Sequence, residues 1–156
     1  MQASVKFGTT MIIVEAIRST TPPAGKQPDH FEIEWYETSK SIIRRKTNGG
    51  LEMAIRKNSN KPLEDGDILW EDETTYVQVM IRPCECIVFQ PKTMRDMGII
   101  CFEIGNKHIP IYIDAQDTVN VAYETPLYTL LERGGYEPRV ESKKLLKTHL
   151  FQIHGR

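Results

Sequence analysis

The strongest constraint on the fold is a change of hydrophobic period partway along the chain. Up to Ile81 the apolar residues recur at every second position, in short runs separated by turn residues. Beyond Arg82-Pro83 two periods interleave. Glu85 to Gln90 reads as one strand. Met94, Met97, Cys101 and Ile104 then recur at three- and four-residue steps, as one face of a helix does. Gly105 is placed to cap that helix in left-handed geometry. Ile109, Ile111 and Ile113 return to alternation, and Val119 and Val121 continue it. Thr125-Pro126 opens a second helix with an apolar face of Leu127, Leu130 and Leu131, stopped by Gly134-Gly135. Arg139 to Leu145 supplies a last strand. The order β-α-β-β-α-β is the ferredoxin-like split pattern.

The first half carries strands only. Residues 11–17 are extended, and a polar loop runs from Lys26 to His30. Phe31, Ile33 and Trp35 alternate with glutamates. Ile42 to Lys46 and Leu51 to Ile55 flank the turn Asn48-Gly49-Gly50 as a hairpin. Ile68 to Trp70 and Tyr76 to Ile81 follow the turn at Asp65-Gly66. The expected fold is therefore α+β in two small domains: an N-terminal all-β domain over residues 11–81 and a C-terminal ferredoxin-like βαββαβ domain over residues 82–145. Residues 1–10 read as an extension, with Met11 an alternative natural start, and residues 146–156 as a mobile tail. A chain of 156 residues has room for two such small cores.

Composition excludes several functions. A net charge of -1 gives no general attraction to nucleic acid. No apolar run approaches the roughly 20 residues of a membrane-spanning helix. Three cysteines make no disulfide scaffold and point to a reducing compartment, the cytoplasm. No His-Glu-x-x-His or Gly-x-Ser-x-Gly occurs, and Asn48-Gly49-Gly50 lacks the Gly-Lys-Ser/Thr of a phosphate loop. Asp65-Gly66-Asp67 lacks the further oxygen ligands of a calcium loop and reads as a turn. The equipment for an enzyme, and for a catalytic cofactor, is missing. The basic residues Arg44, Arg45, Lys46, Arg56 and Lys57 read as a solvated face, or as a docking strip for an acidic protein.

What remains is Gly105-Asn106-Lys107-His108-Ile109-Pro110, a turn between helix and strand. His108 is either a loop histidine that serves the backbone or a ligand for nickel, copper or zinc, which imidazole suits. One histidine holds a metal poorly, but a twofold dimer doubles every residue on its axis. The tail adds His149, which shares an apolar face with Leu145 and Leu146 and reads as packed, and His154, a candidate supplementary ligand. Cys84-x-Cys86 places two thiols on one face of a strand and reads as buried or idle. Cys101 fits the apolar stripe of its helix.

These residues carry a resemblance. Gly105-Asn106-Lys107-His108-Ile109-Pro110 is similar to the Gly-Asn-Arg/Lys-His-x-Pro motif of the urease accessory protein UreE family. Leu63-Glu64-Asp65-Gly66-Asp67-Ile68-Leu69 resembles that family's Leu-x-Asp-Gly-Asp-x-Leu turn. The resemblance covers the arrangement of residues 11–145. It implies a cytoplasmic homodimeric nickel chaperone that binds the ion at its dimer interface and delivers it to apo-urease with the other accessory proteins, including the nickel-linked GTPase. It makes His108 the interface ligand, nickel the cargo with zinc and copper as competitors, and the β domain a partner-binding module. Many relatives end in a histidine-rich tail, whereas this chain has only His149 and His154 there. A non-metal adaptor, with His108 structural, is the competing expectation.

Overall fold

The computed structural model of the chain describes residues 10–152. They form two compact units, one ending at Arg82 and the next beginning at Pro83. The first is β-rich and the second combines a sheet with two helices, so the α+β reading holds.

The first unit contains two three-stranded sheets. In one, β1 (Ile12–Val14) runs parallel to β4 (Glu52–Arg56), which pairs antiparallel with β3 (Ile42–Lys46). In the other, β2 (Gln27–Ile33) runs parallel to β6 (Thr75–Ile81), and β5 (Ile68–Glu71) completes the sheet. Alternation buries Phe31, Ile33, Val77, Val79 and Ile81, each worth about 1.5–3 kcal/mol relative to exposure. Three sequence expectations change here. The first strand is only three residues long. The expected polar loop before Phe31 is already strand, because Gln27 to His30 pair with Thr75 to Gln78. Trp35 belongs to a short 3-10 turn, Trp35–Glu37, rather than to the strand.

Buried polar groups tie the sheets together. The Asp29 carboxylate accepts hydrogen bonds from Thr47 Oγ1 at 2.6 Å and Gly49 N at 2.8 Å. A Cβ at Gly49 would lie 2.8 Å from an Asp29 oxygen, so the turn admits glycine there. In the Asp65-Gly66-Asp67 turn Gly66 has φ 92°, Asp67 accepts from Glu64 N and Asp65 from Ile81 N, each at 2.8 Å. Its carboxylates are engaged by backbone, as a plain turn requires.

Arg45, one of the basic residues of the hairpin, holds Glu37 through two nitrogens at 2.8 and 2.7 Å. The guanidinium fork lowers the Glu37 carboxyl from 4.5 to about 2, against the opposing effect of burial. A carboxyl depressed by folding contributes stability above its unfolded pKa and loses it as pH falls from 4.5 towards 2. Arg45→Ala should therefore cost about 2 kcal/mol at neutral pH. That is less than a fully buried pair would cost, because the arginine side chain is 37% exposed and screened. Urea denaturation should show the deficit shrinking as pH approaches 2; a pH-independent deficit would mean that Arg45 acts through packing alone.

The second unit has strand order β10-β7-β9-β8, every neighbour antiparallel. Its strands are β7 (Cys84–Phe89), β8 (Tyr112–Ile113), β9 (Val119–Ala122) and β10 (Arg139–Lys143). Numbered within the unit, the order is 4-1-3-2, the ferredoxin-like arrangement. Helices α1 (Met94–Asn106) and α2 (Thr125–Arg133) cover one face, where Ile100, Ile104, Leu127 and Leu131 close over Ile87, Phe89, Val119 and Val121. Leu130, expected on the apolar face, is instead 36% exposed, because a nine-residue helix turns only Leu127 and Leu131 fully inward. The last strand stops at Lys143, earlier than Leu145.

The segment after β10 crosses the opposite face. Leu145 is buried, Lys147–His149 forms a single 3-10 turn, and Phe151 exchanges two backbone hydrogen bonds with Ile111, at 2.7 and 2.8 Å. Since β10 and β8 are the two edges, the chain spans the sheet. The His149 ring stacks on Tyr112, with centroids 5.3 Å apart. Tyr112 is paired with Asn120, which points away from the helices because its neighbours Val119 and Val121 point towards them.

Candidate metal centre at the end of helix α1

Helix α1 begins at Thr93, whose Oγ1 accepts from Asp96 N at 3.0 Å. Its other end departs from the expected glycine cap. Gly105 lies inside the helix, and the left-handed position belongs to His108, at φ 60°. His108 N donates to Gly105 O at 2.9 Å, and Ile109 N reaches Ile104 O at 3.4 Å. These two bonds are the pair that closes a Schellman cap, with Ile109 making the accompanying apolar contact beside Ile104. Glycine normally fills that position because a Cβ there is strained by about 1–2 kcal/mol. Histidine is among the few residues enriched there. Ile109 is then extended by the proline after it, and Pro110 carries the chain outward to Ile111 and β8.

The consequence is positional. A side chain at this corner leaves the helix axis, so the His108 ring is exposed instead of lying along the turn. It stands at the edge of a cleft of about 340 Å³ whose walls include Cys101, Ile109, Ile111, Ile113 and Phe151. The walls are mostly aliphatic or aromatic carbon, with His108 and Gln152 as the polar side chains that line them. Burial pushes the Cys101 thiol up, and its Sγ contacts Met97 Sδ at 3.7 Å, so it remains a protonated core group.

An apolar strip leads along α1 to this cleft. Met94, Gly98, Cys101 and Gly105 recur at steps of four, three and four, with Phe102 beside them. Met94 is 90% exposed and Phe102 70%, and Phe151 in the cleft wall is 65% exposed. Among the described residues, nothing lies within 4 Å of a Cβ built at Gly98 or Gly105.

Of the histidines weighed from sequence, His108 lies at the cleft. His149 stacks on Tyr112, and His154 lies outside the described residues. Among the described residues no three metal-ligating side chains converge, so one chain offers an exposed imidazole and an apolar wall. Phe151 and Gln152, which also line the cleft, were not legible beforehand, since nothing local signals a two-bond bridge to Ile111. No helix among the described residues is long and apolar enough to cross a membrane.

Comparison with known proteins gives a consistent picture. Residues 12–82 match the family model described as the N-terminal domain of the UreE urease accessory protein. The chain is 38% identical over 127 residues to the urease accessory protein UreE of Acetivibrio thermocellus, covering 81% of this chain and 82% of the relative. It is 41% identical to that of Helicobacter pylori, covering 75% of this chain and 71% of the relative. For the Actinobacillus pleuropneumoniae protein of the same name the identity is 34%, with 77% of this chain and 64% of the relative covered.

Proposed function

Because this chain belongs to the urease accessory protein UreE family, we propose that it serves urease maturation as a nickel carrier, with the ion as cargo and His108 as its principal ligand. The observation that carries this reading is the strained cap: a histidine takes a glycine position and is thereby held out at the edge of an apolar cleft. Strain of that kind concentrates at functional positions.

Two copies meet through the α1 strip. Each helix glycine costs about 1 kcal/mol relative to alanine, and none of the described residues excludes a Cβ at Gly98 or Gly105. Close approach of a second backbone supplies a reason for both. A twofold through this face makes the patch self-complementary and brings two His108 rings to one ion. The resulting centre is low-coordinate and bounded by apolar walls, firm enough to hold nickel and open enough to release it to apo-urease. Zinc and copper compete, since affinity alone does not favour nickel. Urease and its other accessory proteins, the nickel-linked GTPase included, are the partners, with the β-rich unit as the docking module.

Nickel titration with simultaneous native mass measurement tests this. The expected result is one tightly held ion per dimer. A chain that takes up no nickel at micromolar concentrations is instead an adaptor in which His108 serves only as a cap.

His154 is proposed as a supplementary ligand. It follows Gln152, a cleft residue, by two positions, a chain reach of at most about 7 Å. Truncation after Gln152 keeps the Ile111–Phe151 bridge and should weaken nickel binding by about tenfold, ~1.4 kcal/mol, without abolishing it. Identical isotherms for the truncated and full chains would remove His154 from the ligand set.

A further inference from the structure

We propose that Cys84 and Cys86 form a second metal site, a two-thiolate chelate for copper(I), separate from His108. Residues two apart in a strand share a face, and the two Sγ atoms lie 3.7 Å apart. Two sulfurs each about 2.3 Å from one ion would be about 4.0 Å apart at the trigonal angle of three-coordinate copper(I). The thiols therefore stand within a few tenths of an ångström of chelating distance, a gap that side-chain rotation covers without movement of the backbone.

They do not stand at disulfide distance. Positions i and i+2 of a strand are about 6.7 Å apart at Cα, with roughly parallel Cα–Cβ bonds, whereas a disulfide draws Cβ atoms to about 3.5–4.5 Å. Closing that gap would pucker β7, which is an interior strand: Cys84 pairs with Lys143, and Cys86 with Glu141 on one side and Ala122 on the other. The pair is thus preserved as a dithiol by the sheet around it. It lies on the face away from the helices, since Ile87 and Phe89 fill the helix side. Cys101, on α1, has no part in it.

The surroundings suit a soft monovalent ion. Among the described residues no third histidine, cysteine or carboxylate joins the two sulfurs. Zinc and nickel would be left short of ligands, whereas copper(I) prefers thiolate and is satisfied with two or three donors. On binding, each thiol loses its proton to solvent, and the bis-thiolate cuprous centre carries one negative charge. Lys143, directly across from Cys84, supplies the offsetting cation; its Nζ is fixed by Asn120 Oδ1 at 2.9 Å. Burial pushes the Cys86 thiol up to about 12, so with no ion present it stays protonated and unreactive. Cys84 is half-buried and provides the way in. Such a site draws a contaminating cuprous ion to sulfur and leaves the imidazole of His108 free of it.

The test is an anaerobic copper(I) titration against a chromophoric bicinchoninate competitor, on the full chain carrying His108→Ala. One copper(I) per chain should be retained, with thiolate-to-copper charge-transfer absorption in the near ultraviolet. Adding Cys84→Ala should lower the affinity at least a hundredfold, and Cys101→Ala should leave it unchanged. Cys84→Ser, which restores the side-chain volume without a copper(I) ligand, decides the case if the alanine variant loses its far-ultraviolet circular dichroism. The proposal is overturned if the competitor keeps all the copper, if both Cys84 variants hold it as the parent does, or if Cys101→Ala releases it.

Discussion

Replacing His108 by glycine should remove the tight nickel site and stabilise the chain at the same time. The two effects have separate origins. The imidazole is the proposed metal ligand at the cleft, and in a twofold assembly a single substitution deletes both copies, so nickel affinity should fall by more than about a hundredfold, ~2.7 kcal/mol. The backbone at position 108 sits at φ 60° inside a Schellman cap, where glycine relieves about 1 kcal/mol of strain. His108→Ala should lose the metal equally without the gain in stability. Calorimetric nickel titration and thermal unfolding of the metal-free variants read the two effects independently. If His108→Gly keeps the parent's affinity and stoichiometry, His108 is a cap and the interface site does not exist. If glycine lowers metal-free stability, the imidazole holds the fold together.

The same corner shows how far sequence reading reaches. Helix α1, the strands beside it and the location of His108 at a turn were all legible, because an amphipathic period of three to four giving way to alternation leaves few alternatives. The identity of the capping residue was not. Gly105 matched the statistical preference, but the helix runs on to Asn106 and the left-handed residue is three positions later, a choice made by the contact of Ile109 with the core rather than by local propensity. In the first unit the hairpin at Asn48-Gly49-Gly50 was readable from its turn. The parallel pairs β1–β4 and β2–β6 were not, since parallel neighbours are joined by no turn that could mark them. Gln27, Pro28, Asp29 and His30 looked like loop because their polarity reflects an outward face and a buried Asp29–Thr47 bond, neither visible in a period count. The wall formed by Phe151 depends on a bridge to Ile111 some 40 residues away, and long-range pairing of that kind has no signature in a lone apolar residue.

Introducing a charge on the α1 strip should turn the proposed dimer into a monomer. Phe102 is 70% exposed in the single chain, so Phe102→Asp removes no core contact and should leave stability of the chain within about 0.5 kcal/mol of the parent. On a self-complementary face the same change sets two carboxylates near one another and away from water, and like charges so placed cost several kcal/mol. A shift of about 4 kcal/mol raises the dimer dissociation constant roughly a thousandfold, enough to be read as a change of mass in sedimentation at micromolar protein. Gly98→Ala separates an interface from a solvated helix face by the sign of its effects. In the isolated chain the new Cβ meets none of the described residues and should stabilise the helix by up to about 1 kcal/mol, while in the dimer it would hold the two backbones apart and weaken association. Nickel links these results to His108: the monomeric Phe102→Asp chain retains its imidazole, yet should lose tight binding because the second ring is gone. Tight nickel binding by a verified monomer would refute the shared-ligand geometry, and an unchanged dimer in both variants would move the interface off α1.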